Sequence, residues 1–254
     1  MITEKFSIDG IPAVLWGMPS DKIYIYVHGK QGYKEYAEAF AKVAETKGYQ
    51  ILSFDLPRHG ERKDEPESCD VWQGIKDLEK IAAFTFGKWT EVNLFACSIG
   101  AFFALHAYTD KPFKKCLLQS PIIDMPWLIR QMMLWFDVSE ARLEQEKKVA
   151  TPFETLDWDY YQYVLQHPIN KWPFPTEILY AGKDNLQPVE AMEAFATRFG
   201  AGLTVSPNSE HPFMGPEDAA IVGAWLGSVV QKTISYCPDS PPRRPIYTIS
   251  IKIG

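Results

Sequence analysis

Polar and apolar residues alternate over positions 5–8 and 13–16, on either side of Asp9-Gly10, and this spacing predicts a β-hairpin. Residues 22–27 are rich in β-branched and aromatic side chains and predict a strand that ends at His28-Gly29. A helical period follows over 36–47 and stops at Gly48. The alternation of strand and helix then continues: strand 49–54, helix 71–86, strand 92–96, helix 99–108, strand 115–119. From 120 to 172 it lapses, and only helical spacing is found, over 127–136, 139–149 and 158–166. It resumes with strand 177–181, helix 188–199, strand 203–205 and helix 216–231. Such alternation predicts a mostly parallel sheet covered by helices on both faces, with the opening hairpin at an edge. The tail at 236–254 begins proline-rich and ends in an alternating, strand-like run over 247–253.

One strand-to-helix junction carries chemistry. Residues 91–105 read as a buried strand, a sharp turn at Ser98 and a helix, with small Ala96 and Gly100 flanking the serine. This is the G-x-S-x-G nucleophile elbow with alanine at its first glycine, a change a tight turn accepts when that residue keeps a negative φ. A serine hydroxyl is a weak nucleophile near neutral pH. It needs a histidine to take its proton and a carboxylate to orient that histidine. Asp184 stands just after the strand at 177–181, and His211 stands in the loop after the strand at 203–205. Asp124 follows the strand at 115–119 and is the rival carboxylate. The positions of His28 and His59 fit residues that brace loops, whereas His106 and His167 fit structural roles.

Charge and cysteine content narrow the partners. The 254 residues carry a formal net charge of −6, which argues against nucleic acid, whose phosphates call for a basic surface. Cys69, Cys97, Cys116 and Cys237 form no C-x-x-C pair and no Cys/His cluster, so no metal site is expected, and a reducing, cytoplasmic compartment fits. The first ten residues hold no apolar signal run, and the most apolar segment, 125–136, is interrupted by Arg130 and too short to span a bilayer, so no stable membrane insertion is expected.

Five segments in order, VHGKQG at 27–32, DLPRHGER at 55–62, FACSIGA at 95–101, AGKDNLQP at 181–188 and SEHPF at 209–213, make the chain resemble the α/β-hydrolase fold family. The resemblance implies an eight-stranded, mostly parallel sheet formed by residues 1–119 and 173–235, with a small helical cap, 120–172, inserted after the sixth strand. It implies Ser98 as nucleophile, His211 as general base and then acid, and Asp184 as the orienting carboxylate. It also implies an oxyanion hole made by the backbone N–H groups of Lys30 and Ile99. No cofactor or metal is implied. The aromatic content of 120–172 predicts an apolar wall against a small-molecule ester or acyl substrate, with Trp127, Trp135, Phe136 and Trp158 as candidate contacts. Lys30, Arg58 and Arg62 read first as ordinary solvated surface charges, and alternatively as a positive rim for a carboxylate-bearing substrate. The expected activity is hydrolysis of small to medium carboxylic esters through an acyl-serine. Thioesters, amides and C–C bonds stay open as alternatives, as does a non-catalytic ligand-binding member of the fold.

Overall fold

A computed structural model of the chain describes residues 1–230. The tail and its expected strand at 247–253 lie outside the described residues. The described residues form ten strands: β1 (Thr3–Ile8), β2 (Ile11–Trp16), β3 (Lys22–Val27), β4 (Gln50–Phe54), β5 (Glu91–Cys97), β6 (Cys116–Gln119), β7 (Lys148–Ala150), β8 (Thr155–Asp157), β9 (Thr176–Ala181) and β10 (Gly202–Ser206). Eight of them form one sheet in the order β1-β2-β4-β3-β5-β6-β9-β10. β1 and β2 pair antiparallel at one edge, where Asp9 and Gly10 both take positive φ (46° and 87°), as the tight hairpin requires. β2 also runs antiparallel to β4, and all other neighbours in this sheet are parallel.

The helices are α1 (Glu38–Glu45), α2 (Val71–Thr85), α3 (Ser98–Ala107), α4 (Met125–Trp135), α5 (Glu140–Glu146), α6 (Trp158–Gln166), α7 (Val189–Phe199) and α8 (Asp218–Val229). They cover both faces of the sheet. α1 and α8 bury Phe40, Ala41, Trp225 and Leu226 in one core cluster. α2, α3, α4 and α7 bury Leu78, Phe103, Ile129 and Phe195 in the other. α3 is apolar on nearly every side because it lies in the middle of that second layer, and Gly74 of α2 lets it come close. A Cβ on Gly74 would sit 2.6 Å from the Phe103 ring.

Segment 120–172 differs from its expected all-helical form. The helix expected over 139–149 ends at Glu146, because Lys147 takes φ 65°. The chain then enters β7, which pairs antiparallel with β8 across a turn held by the Thr151 hydroxyl. The segment docks on α2 through Trp72, whose ring meets Tyr160 at 5.6 Å and Tyr163 at 5.1 Å. No helix of the described residues is long and apolar enough to cross a membrane.

Two kinds of buried polar group set testable features. The Arg62 guanidinium, 6 % exposed, donates to Asp77 at 2.6 Å and to Glu65 at 2.7 Å. It therefore belongs to neither a positive rim nor a solvated surface. Removing Asp77 leaves the buried guanidinium with Glu65 as its one remaining carboxylate partner, so Asp77→Ala should lose about 3 kcal/mol in urea unfolding. A loss below about 1 kcal/mol would contradict this account. His106 on α3 has a buried Nε2 without a partner, and burial, helped by His167, lowers its pKa from 6.5 to about 4. Between those values the unfolded chain binds a proton that the folded chain excludes. Its contribution is thus complete above pH 6.5 and lost as pH falls toward 4. Melting curves should show that His106→Leu flattens the loss of stability over this window, and an unchanged slope would refute the assignment.

Candidate active site

Ser98 sits where β5 turns into α3. Its backbone takes φ 51°, a left-handed conformation that a residue with a side chain adopts at a cost of about 1–3 kcal/mol. Two glycines make the turn possible. A Cβ on Gly100 would lie 2.3 Å from the His28 carbonyl oxygen, and one on Gly29 would lie 2.9 Å from Ser98 Cβ. The first turn of α3 therefore packs directly on the end of β3. Ala96 lies within β5 and does not take positive φ, so alanine suits its place.

The two partners arrive from the far strands. Asp184 follows β9 in a turn closed by its own N–H donating to the Ala181 carbonyl at 3.0 Å. His211 lies in the loop after β10, and the loops are tied together by Gly182 N–H to Ser206 O (2.7 Å) and Lys183 N–H to Ser209 O (3.0 Å). Ser98 Oγ stands 2.8 Å from His211 Nε2, and His211 Nδ1 stands 2.8 Å from Asp184 Oδ2. The Asp184 side chain is fully buried. Its other oxygen accepts from Leu186 N–H at 2.8 Å and from Gln187 N–H at 3.2 Å. Three donors thus share one carboxylate. With Nδ1–H bound to Asp184, Nε2 is left as the acceptor facing Ser98. Asp124, the rival, instead caps α4 by accepting from Trp127 N–H at 2.8 Å.

The loop that carries Lys30 is held from below. His28 is buried, and its Nε2 accepts from Leu56 N–H at 3.0 Å while Nδ1 contacts Gly29 O at 2.7 Å. Burial lowers its pKa to about 4, so the ring is neutral. His59 Nε2 accepts from Gln31 N–H at 3.0 Å, and the buried Asp55 accepts from Lys34 through its backbone N–H (2.8 Å) and Nζ (2.7 Å). Both histidines brace the loop. Ile99 opens the first turn of α3, where backbone N–H groups have no carbonyl of their own helix to meet. Beside the serine, burial and then the charge of Asp184 push the Cys97 thiol up to about 12, so it stays protonated and weakly nucleophilic.

The serine and histidine open into a cleft of 1890 Å³. Trp135 lines it, together with Met125, Leu128 and Met132 of α4. Trp127, Phe136 and Trp158 pack against the core cluster instead. Lys30 lines the cleft, but its ammonium is paired with Glu154 and lies 5.0 Å from the Phe153 ring centroid, which links the β7–β8 turn to the serine side. Arg58 is exposed at the cleft.

Two supporting groups carry no sequence pattern. Asp218 binds Ser209 Oγ (2.6 Å) and Gly215 N–H (2.7 Å), which clamps both ends of the loop that bears His211. Gln187, fully buried, accepts from the N–H groups of Ile123 (2.8 Å) and Asp124 (2.7 Å), which ties the Asp184 loop to the start of segment 120–172. The Gln187 contacts join segments far apart in sequence, those of Asp218 lie within one loop, and the residue types themselves announce nothing.

No protein-family model and no curated protein sequence matches the chain. Solved structures do. Est1E from Butyrivibrio proteoclasticus, with ferulic acid bound, superposes with a TM-score of 0.70 at 17% identity, over 89% of this chain and 96% of that one. Alpha/beta hydrolase domain-containing protein 10 from mouse gives 0.71 at 14% identity, over 91% and 98%. An esterase of Pyrococcus furiosus gives 0.65 at 18% identity, over 92% of each chain. The chain has the α/β-hydrolase fold, with the eight-stranded, mostly parallel sheet expected of it.

The elbow packing can be tested on stability alone. Gly100→Ala should cost about 2 kcal/mol by overpacking, a fall of roughly 4–8 °C in Tm. Gly227→Ala, where a Cβ meets nothing within 4 Å, should leave Tm unchanged or raise it. Equal Tm values for the two variants would refute the close approach.

Proposed function

We propose that the protein is a serine hydrolase acting on small to medium carboxylic esters, thioesters included, through an acyl-Ser98 intermediate. The observation that carries this reading is the unbroken relay Ser98 Oγ–His211 Nε2 and His211 Nδ1–Asp184 Oδ2, with both contacts at 2.8 Å. In the reading, Ser98 Oγ attacks the ester carbonyl while His211 Nε2 takes its proton. Asp184 holds the histidine tautomer and stabilises the imidazolium. The backbone N–H groups of Lys30 and Ile99 receive the developing oxyanion, each worth roughly 3–4 kcal/mol in the transition state. His211 then protonates the departing alcohol, and a water activated by the same nitrogen releases the acid. The strained φ of Ser98 supports this role, because such strain persists where a site needs it.

Segment 120–172 serves in this reading as the cap, since α4 and the β7–β8 turn wall the cleft. Trp135 is the retained candidate among the four substrate-contact rings. One of the similar structures is named an esterase, and Est1E is solved with ferulic acid, an aromatic acid, which is in keeping with an acyl or aryl ester here. The non-catalytic alternative gives no reason for three buried groups to be aligned donor to acceptor.

Hydrolysis of p-nitrophenyl butyrate should fall by about 10⁴-fold in kcat for Asp184→Asn, and at least as far for Ser98→Ala or His211→Ala. Combining Ser98→Ala with His211→Ala should add little to either alone. Saturable ligand binding without Ser98-dependent turnover would refute the reading.

A further inference from the structure

The cleft does not stop at the serine. Under α4 it belongs to one face of the sheet, where Met125, Leu128, Ile129 and Met132 form part of that face's core. It also continues to the opposite face, between α1 and α8. There Ala39 and Val43 of α1 and Ala219, Val222 and Gly223 of α8 line its sides. Its floor is aromatic: Phe40 stacks on Phe95 at 4.7 Å, and Tyr26 stacks on Phe95 at 5.0 Å. Small residues keep this second arm open. A Cβ built on Gly223 meets nothing within 4 Å. Of the charges on its rim, Glu38 pairs with Lys42 at 2.8 Å and Glu35 pairs with Lys5 at 3.0 Å. The function described so far makes no use of this arm.

Resting on the serine-hydrolase reading, we propose that the α1–α8 arm binds the alcohol half of the ester, and that this alcohol is uncharged and apolar. The chemistry sets the direction. As the tetrahedral intermediate collapses, the bond from the acyl carbon to the alcohol oxygen breaks. That oxygen takes the proton from His211 Nε2, and the acyl carbon stays bonded to Ser98 Oγ. The leaving oxygen must therefore face His211. Phe213, two residues after His211, lines the cleft and packs in the same core cluster as Phe40, Phe95 and Leu226 on this face. The carbonyl oxygen is directed to Lys30 and Ile99, and the acyl chain is left the arm beneath α4. An aromatic floor and mutually neutralised rim charges suit an alkyl or aryl alcohol over an anionic one.

The experiment is a pair of ester series, one varying the alcohol (methyl, propyl, hexyl butyrate) and one varying the acid (methyl acetate, butyrate, octanoate). Wild type should gain about fourfold in kcat/KM per added alcohol methylene until the arm is full. Gly223→Phe, which fills the arm from α8, should cut the hexyl-to-methyl ratio at least tenfold and leave the acid series unaltered. Ala39→Phe, which fills it from α1, should do the same, so a folding defect in one variant does not decide the matter. Loss of selectivity in the acid series instead, or no alcohol selectivity in wild type, overturns the proposal and leaves the hydrolase reading standing. Failure of wild type to hydrolyse any ester in either series overturns both.

Discussion

The structure depends on one close approach, that of the first turn of α3 to the end of β3. Two backbones meet there with no room for a Cβ on Gly100 or Gly29. This contact forces the strand-to-helix turn to be sharp and holds Ser98 at φ 51°, against its own preference. The surrounding core over-determines the turn. β5 lies between β3 and β6 in the sheet, and α3 is buried along most of its length. Strain that one interaction could not sustain is held by the layer as a whole.

The rest of the site is assembled by polar contacts under that frame. The loop bearing His211 is held at Ser209 and Gly215 by the single carboxylate of Asp218. The Asp184 turn is tied to segment 120–172 through Gln187. The loop bearing Lys30 rests on neutral His28 and on buried Asp55. Each of these groups is buried and hydrogen-bonded, so leaving a partner unmade is costly and the loops have little freedom to drift. The result is a serine and a histidine aligned at 2.8 Å.

The parts legible in the sequence are those governed by local periodicity and by backbone chemistry. Strands buried on both faces, such as β3 and β5, read as apolar runs, and the Asp9-Gly10 hairpin and the Ser98 turn announce themselves by residue type. Asp184 and His211 were legible because both stand just beyond strands. The parts that were not legible depend on long-range contact. The β7–β8 hairpin was hidden because its strands have only three residues each and adjoin a true helix, so the helical period masks them. Arg62 reads as a surface cation until Asp77, fifteen positions away, is brought against it. Trp127, Phe136 and Trp158 share their composition with Trp135, and only the packing of α4 and α6 decides which ring faces the cleft.

The central claim is that His211 activates Ser98. Intact mass after treatment with a fluorophosphonate tests it most directly, because the probe reports an activated serine without a guess at the substrate. The account predicts one stoichiometric adduct on the wild type, none on Ser98→Ala, and much slower labelling of His211→Ala. A folded wild type that takes up no adduct, or one labelled equally fast without His211, would contradict it.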